Sequence, residues 1–295
     1  MVPVGRTLEI GSPMRKWIWA RALLGCSLVA GGSLLGCRID SRPPAAAPAT
    51  ASLLEPPADH PLRAEILRGR AIVEATAESL PGHVGNGLRC TSCHLDGGTH
   101  EVLGWKGVYA RFPQYRSRSA SIQVIEDRIN DCLERSLAGK RISPDSAAMK
   151  AIVAYLAWLS REVPVTGGIA GGKITVPFEP RHPDSVRGGA LFAATCARCH
   201  GVTGEGGSLG TPLGGGRSFT IGAGMARYRT AAAFVHANMP RDLPGTLTLQ
   251  DALDVAAFVD SRPRRDFAGK EKDWPRGGAP PDTPYPTTGT KPGRP

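Results

Sequence analysis

The chain has 295 residues, and its body, about Leu62 to Phe267, suits two small domains better than one large one. Lys and Arg number 36 against 26 Asp and Glu, a formal net charge of +10. That balance favours small anions and acidic protein partners, although most of it is solvated surface charge, and it excludes nucleic acid as a partner once the chain is read as exported.

Arg15, Lys16 and Arg21 form a basic region ahead of a short apolar stretch, Ala22 to Leu35. This is the pattern of an export signal, with Met14 a more natural start than Met1. The stretch ends in Leu34-Leu35-Gly36-Cys37, the form of a bacterial lipoprotein cleavage box. Residues 1–37 are therefore expected to be a signal peptide with Cys37 as the lipidated first mature residue. The alternative is an uncleaved anchor, for which the apolar run is short. Either way the body is expected in the periplasm, tethered to a membrane. Residues 38–61 are rich in Ala and Pro and read as the tether.

The run Leu62 to Val73 has a helical pattern and precedes Cys90-Thr91-Ser92-Cys93-His94. A Cys-x-x-Cys-His run reads as a c-type haem site: both thiols add to the haem vinyls, and the His becomes an iron ligand. Two intervening residues let both sulfurs reach one edge of the macrocycle. The other reading is a zinc or redox Cys-x-x-Cys pair; a second copy of the motif downstream counts against it. A Gly-rich stretch follows. Ser121 to Ala138 then reads as a helix, with Ile122, Ile125, Ile129 and Leu133 on its apolar side, ending at Gly139. Asp145 to Arg161 reads as an amphipathic closing helix carrying Met149, Ile152, Val153, Leu156 and Leu159.

Residues 164–183 read as a linker rich in Gly and Pro. Ser185 to Phe192 repeats the leading helix, and Cys196-Ala197-Arg198-Cys199-His200 repeats the motif. About Thr248 to Ser261 repeats the closing helix, with Thr248 as its N-cap. Helix, haem motif, loop and closing helix is the plan of a mono-haem cytochrome c domain. The fold is thus expected to be mostly α, with two tandem class I cytochrome c-like domains at 62–163 and 184–267. Two covalently bound haem c groups are expected on Cys90 and Cys93, and on Cys196 and Cys199, with His94 and His200 on the irons. Residues 268–295 form a Pro- and Gly-rich tail that either wraps the surface or stays loose.

Each iron has a second axial position, often filled by Met. In the second unit Met239, in the loop-like setting Ala237-Asn238-Met239-Pro240, is favoured over Met225, with His236 a lesser candidate. Lys is all but excluded, since none lies between Lys173 and Lys270. The first unit has no Met between His94 and its closing helix, and Met149 sits at a core position within that helix. His100 and Cys132 remain. Of seven cysteines, Cys26 leaves with the signal, Cys37 takes the lipid and four hold haem, so Cys132 alone is unassigned. A free Cys is often a small buried core residue, yet an idle thiol is a liability in an oxidising compartment. Arg128 lies four residues before Cys132 and shares its face. A guanidinium beside a thiol favours thiolate, the form that ligates iron and attacks sulfur. Arg128 has Glu126, Asp131 and solvent as alternative partners.

The run Gly85 to Gly98 around the first motif resembles that of the dihaem thiosulfate dehydrogenases. So do Phe112 to Arg118, Glu126 to Cys132, Gly222 to Met225, Ala237 to Pro240 and Lys272-Asp273-Trp274-Pro275. The resemblance covers about residues 63 to 287, and the segment at Cys132 is its most specific part. It implies oxidation of two thiosulfates to tetrathionate, with the reverse reaction possible. It implies His94 and Cys132 on the first, catalytic iron, and His200 with Met239 on the second. It places Arg118 and Arg128 in the anion site.

Two thiosulfate dianions repel each other unless fixed positive charge offsets them, and Arg binds oxyanions through a planar fork. Cys132 is expected to hold one thiosulfate covalently for attack by the second, with ligand exchange at the first iron freeing its sulfur. A thiolate ligand lowers the potential and Met raises it. The first haem is thus the expected entry for electrons and the second the exit to an external carrier, such as a cytochrome c or a high-potential iron-sulfur protein. The rival reading is a non-catalytic dihaem electron-transfer cytochrome c, in which Cys132 is packing and Arg128 a surface charge.

Overall fold

The computed structural model describes residues 53–165 and 182–289. The export signal, Cys37, most of the tether, most of the linker and the end of the tail lie outside the described residues.

Two helix pairs organise the described chain. In the first half, α1 (Arg63–Glu74) packs across α3 (Ala147–Leu159); in the second, α4 (Ser185–Thr195) and α5 (Tyr228–Asn238) pack on α6 (Leu249–Asp260). Local chemistry starts these helices. Ser146 accepts from the Met149 N–H at 3.1 Å to cap α3, and Asp184 accepts from Val186 and Arg187 N–H to cap α4. Thr248 and Asp251 form a reciprocal capping box on α6. The apolar positions expected on α3 face the core, with Met149 and Tyr155 fully buried.

The two halves repeat one crossing. A Cβ on Gly69 of α1 would strike the Ala151 carbonyl of α3, and a Cβ on Gly188 of α4 would strike the Asp254 carbonyl of α6. Each leading helix therefore meets its closing helix backbone to backbone, which only glycine permits at that point.

Three expectations need correction. The helix expected over Ser121 to Ala138 begins only at Ile125. Before it, β1 (Gln114–Arg116) pairs antiparallel with β2 (Ser121–Gln123), Tyr115 opposite Ile122. Ile122 is 74% exposed, because a strand turns it away from the face that a helix would have buried. The α2 helix (Ile125–Asp131) then continues into a π-helical turn, Cys132–Ser136, closed by Leu137 N–H donating to the Cys132 carbonyl at 3.0 Å. Secondly, α5 was not anticipated: its buried run Ala231 to Phe234 is mostly alanine and carries little apolar contrast. Thirdly, the end of the expected tether belongs to the body. Leu54 packs on the first core, and Trp158 Nε1 donates to the Leu53 carbonyl at 2.7 Å. Of the two forms expected for the tail, its described part takes the packed one, with Trp274 and Tyr285 buried.

The halves also share a core. Phe219, Ala223 and Ala226 of the second half are buried among the first half's apolar residues. Asn86 Nδ2 donates to the Ser218 carbonyl at 3.0 Å, and Thr220 N–H and Oγ1 both donate to the Arg135 carbonyl.

At the end of α6, burial pushes the Asp260 carboxyl up to about 7, opposed by Arg264 and reinforced by Asp282. Its Oδ2 has no partner. The folded state therefore favours the protonated acid. Its stabilising contribution is full below the ordinary carboxyl value of 3.8 and is lost as pH rises towards about 7. Asp260→Asn should flatten the fall in stability over that window, read by denaturant unfolding at several pH values. Gly69→Ala and Gly188→Ala should each cost about 1–3 kcal/mol by forcing the crossing helices apart, read by the same unfolding measurement.

Candidate functional site

The first haem motif opens onto a cavity of about 240 Å³. Cys90, Cys93 and His94 form one wall, and Cys132 of the π-helical turn lines the same space. Apolar side chains from α1, α2 and α3 (Val73, Ile125, Ile129, Ile152, Leu156) line it further. Phe219 and Met225 close it from the second half.

His94 is held for ligation. Its Nδ1 donates to the Leu103 carbonyl at 2.6 Å, which directs the other ring nitrogen away as an acceptor. The Trp105 ring packs on it with centroids 4.6 Å apart. Burial pushes the imidazole down to about 4, so the neutral ring is the stable form. Burial likewise pushes the Cys90 and Cys93 thiols up, to about 11 and about 12. That setting disfavours the thiolate pair that zinc or thiol redox chemistry needs. Neutral imidazole, paired thiols and an apolar enclosure together fit a haem c.

The charge of this cavity is one-sided. Arg89, Arg111, Arg116 and Arg128 line it, and among the described residues no carboxylate does. Arg128 Nη1 donates to Cys132 Sγ at 2.9 Å. The cysteine raises the Arg128 guanidinium above its ordinary value, against the effect of burial. Arg111 and Arg116 are shifted the other way, first by burial and then by the nearby Arg128 charge. Arg111 Nε is buried without a hydrogen-bond partner. Such a cluster of crowded, under-satisfied guanidiniums is a ready acceptor for anionic oxygens.

The structure brings together Cys90, Cys93, His94, Arg128 and Cys132, as expected. It does not bring Arg118 to this cavity. The Arg118 guanidinium stacks on Trp274, 4.6 Å from the ring centroid, and donates to the Gly222 carbonyl at 2.8 Å. The tail and the second half claim it, and Arg116 at the end of β1 lines the cavity instead. The signal for this was faint: the choice between two arginines two residues apart depends on where a three-residue strand stops. His100 is not on the cavity; its Nδ1 bonds Asp96 Oδ2 at 3.0 Å. Met225 lines the first cavity, although it belongs to the second half.

The second motif repeats the ligand geometry. His200 Nδ1 donates to the Thr211 carbonyl at 2.8 Å, beside Cys196 and Cys199. Met239 follows directly on α5 and is half-buried.

Paired helix crossings, each carrying a Cys-x-x-Cys-His run with an oriented imidazole, define a tandem cytochrome c protein with haem c cofactors. Residues 83–165 match the family model described as SoxA/TsdA, cytochrome c domain, and residues 184–259 match cytochrome C oxidase, cbb3-type, subunit III. The thiosulfate dehydrogenase of Allochromatium vinosum is 42% identical over 232 residues, covering 74% of this chain and 86% of that one. The thiosulfate dehydrogenase of Psychrobacter arcticus is 40% identical over 231 residues, covering 76% and 71%. The solved thiosulfate dehydrogenase (TsdBA) of Marichromatium purpuratum, in its as-isolated form, superposes with a TM-score of 0.65 at 32% identity. That match covers 72% of this chain and 49% of the other, so the present chain spans about half the length of that structure. The chain belongs to the thiosulfate dehydrogenase family, and it is an oxidoreductase.

Proposed function

We propose that this protein carries two covalently bound haem c groups and couples two thiosulfates to tetrathionate, with the reverse reaction open to it. Cys90, Cys93, His94 and Cys132 would hold one haem. Cys196, Cys199, His200 and Met239 would hold the other. The reading includes a periplasmic body, lipid-anchored to a membrane through Cys37, and an external redox carrier such as a cytochrome c or a high-potential iron-sulfur protein.

The observation that carries this reading is the Arg128–Cys132 contact inside a cavity lined by three further arginines and no carboxylate. A plain electron carrier has no use for it. Unbalanced positive charge in a confined space is costly unless an anion is taken up there. Two dianions need such compensation most at the moment they approach each other. Arg111, Arg116 and Arg128 are assigned to that task, and the anion-binding role expected of Arg118 passes to Arg116.

Bound haem c supplies one-electron acceptance, so two such groups suit a reaction that releases two electrons. The chain's own part is sulfur chemistry. The Cys132 thiolate and the sulfane sulfur of one thiosulfate join in an S–S bond, with loss of two electrons, leaving a cysteine S-thiosulfonate. The second thiosulfate then attacks the sulfane sulfur of this adduct, forming tetrathionate and expelling Cys132 as thiolate. Arg128, still 2.9 Å away, receives the returning negative charge. No proton is needed in either step. Arg111 and Arg116 hold the sulfonate oxygens, and the apolar wall keeps water from the thiosulfonate.

Cys132→Ser should abolish thiosulfate-dependent ferricyanide reduction while both haems stay attached; full activity in that variant would end the covalent scheme. Arg128→Gln should cost about 100-fold or more in kcat/KM in the same assay. For the second iron, Met239→Leu should remove the thioether-to-ferric charge-transfer band in the far-red spectrum. Met225→Leu should keep that band, because its side chain lines the other cavity; the opposite result would reverse the assignment.

A further inference from the structure

The motif Lys272-Asp273-Trp274-Pro275 has no part in the site described so far. It nevertheless reaches the turn that carries Cys132. Arg135 lies in that π-helical turn, three residues after the cysteine. Its guanidinium forms a two-pronged fork with Asp273, with Nη1 to Oδ2 and Nη2 to Oδ1 both at 2.8 Å. Asp273 is buried, and Tyr285 Oη donates to its Oδ2 at 2.7 Å. The Phe267 ring lies 4.2 Å from the Arg135 guanidinium carbon. The other end of Arg135 is held as well, since its carbonyl accepts from Thr220 N–H at 3.1 Å and Thr220 Oγ1 at 2.8 Å.

A π-helical turn is rare and intrinsically poorer than the α-helix it interrupts, so it persists where outside contacts select it. The Arg135 fork is such a contact. An α-helical relaxation of Cys132–Ser136 would rotate the residues of this turn relative to the cavity. Arg128, one α-helical turn before Cys132, would keep its register with the sulfur, so the change would fall on how the turn and its cysteine sit relative to the Arg135 anchor and the cavity wall. The tail also grips the neighbouring wall, with Trp274 N–H donating to the Arg118 carbonyl at 2.8 Å.

We propose that Asp273 is a positioning residue for the sulfur chemistry: through Arg135 it holds the π-helical turn, and so the placement of Cys132 opposite His94. The inference rests on the reading of Cys132 given above. Asp273 touches no substrate or cofactor in this scheme; it acts through Arg135, its bidentate partner, while Arg118 Nε lies farther off at 3.9 Å. The tail is then a working part of the catalytic half, although it follows the second domain in sequence.

The test uses the full-length protein with both haems attached. Asp273→Asn keeps the size of the side chain and removes the charge of the fork. In electron paramagnetic resonance of the ferric protein, the low-spin thiolate signal should weaken or split into several species, while the signal of the other haem stays unchanged. In the ferricyanide assay kcat should fall about 10–100-fold, with KM for thiosulfate within about threefold. Asp273→Glu should restore much of both readouts. The double variant Asp273→Asn, Arg135→Gln should be no worse than either single one, because the two side chains act as one unit. If Asp273→Asn does not yield folded holoprotein, Arg135→Lys and Tyr285→Phe carry the same expectations in milder form. A wild-type thiolate signal and kcat in these variants, even with lowered thermal stability, would overturn the proposal and leave the tail purely structural. Absence of a thiolate signal in the wild-type protein would instead overturn the reading of Cys132 itself, and the clamp with it.

Discussion

A guanidinium held 2.9 Å from a cysteine sulfur, in a cavity without a carboxylate, is the contact on which the rest depends. It sets a soft nucleophile beside fixed positive charge and faces both towards a buried, neutral imidazole. Each neighbouring feature follows from the need to keep that arrangement in place. The apolar walls exclude water and strengthen every charge interaction inside. The Leu103 carbonyl fixes the His94 ring, and the π-helical turn fixes the sulfur.

The second consequence is that the first half is not self-contained. Phe219 and Met225 close its cavity, and Thr220 ties the segment between them to the Arg135 carbonyl. A tandem repeat at the level of helix crossings has become a shared core at the level of side chains. That closeness suits a protein in which electrons pass from one half to the other, because the wall of the first cavity is made by the second domain.

The arginines divide by their partners. Arg135 meets Asp273 in a buried fork and Arg118 stacks on Trp274, so both are spent on holding the tail and the two halves together. Among the described residues Arg111 and Arg116 form no ion pair of that kind and line the cavity, and Asp131 offsets the charge of Arg116 only from farther off. Their guanidiniums are pushed below their ordinary range by burial and by Arg128. Residue type alone does not separate these roles; the presence or absence of a counter-charge does.

The Cys-x-x-Cys-His runs, the leading and closing helices and the shared face of Arg128 and Cys132 were legible in the chain itself, while the partner of Arg128 was left open among Cys132, Glu126, Asp131 and solvent. Each depends on spacings of one to four residues, where covalent geometry and helix periodicity leave little freedom. The 248 cap and the apolar face of α3 were legible for the same reason. What escaped were β1 and β2 in place of the start of a long helix, the alanine-rich α5, the docking of Leu53 and Leu54, and the placing of Arg116, not Arg118, on the cavity. Most of these are decided by partners far away in sequence: Leu53 meets Trp158, Arg118 meets Trp274, and Arg135 meets Asp273, 138 positions further on. Sequence by itself therefore determined the two Cys-x-x-Cys-His runs and singled out Cys132 as the one cysteine outside them in the body of the chain. Only the tertiary structure decided which arginines face that sulfur, because a guanidinium's role is set by the charge and aromatic surface that folding brings against it.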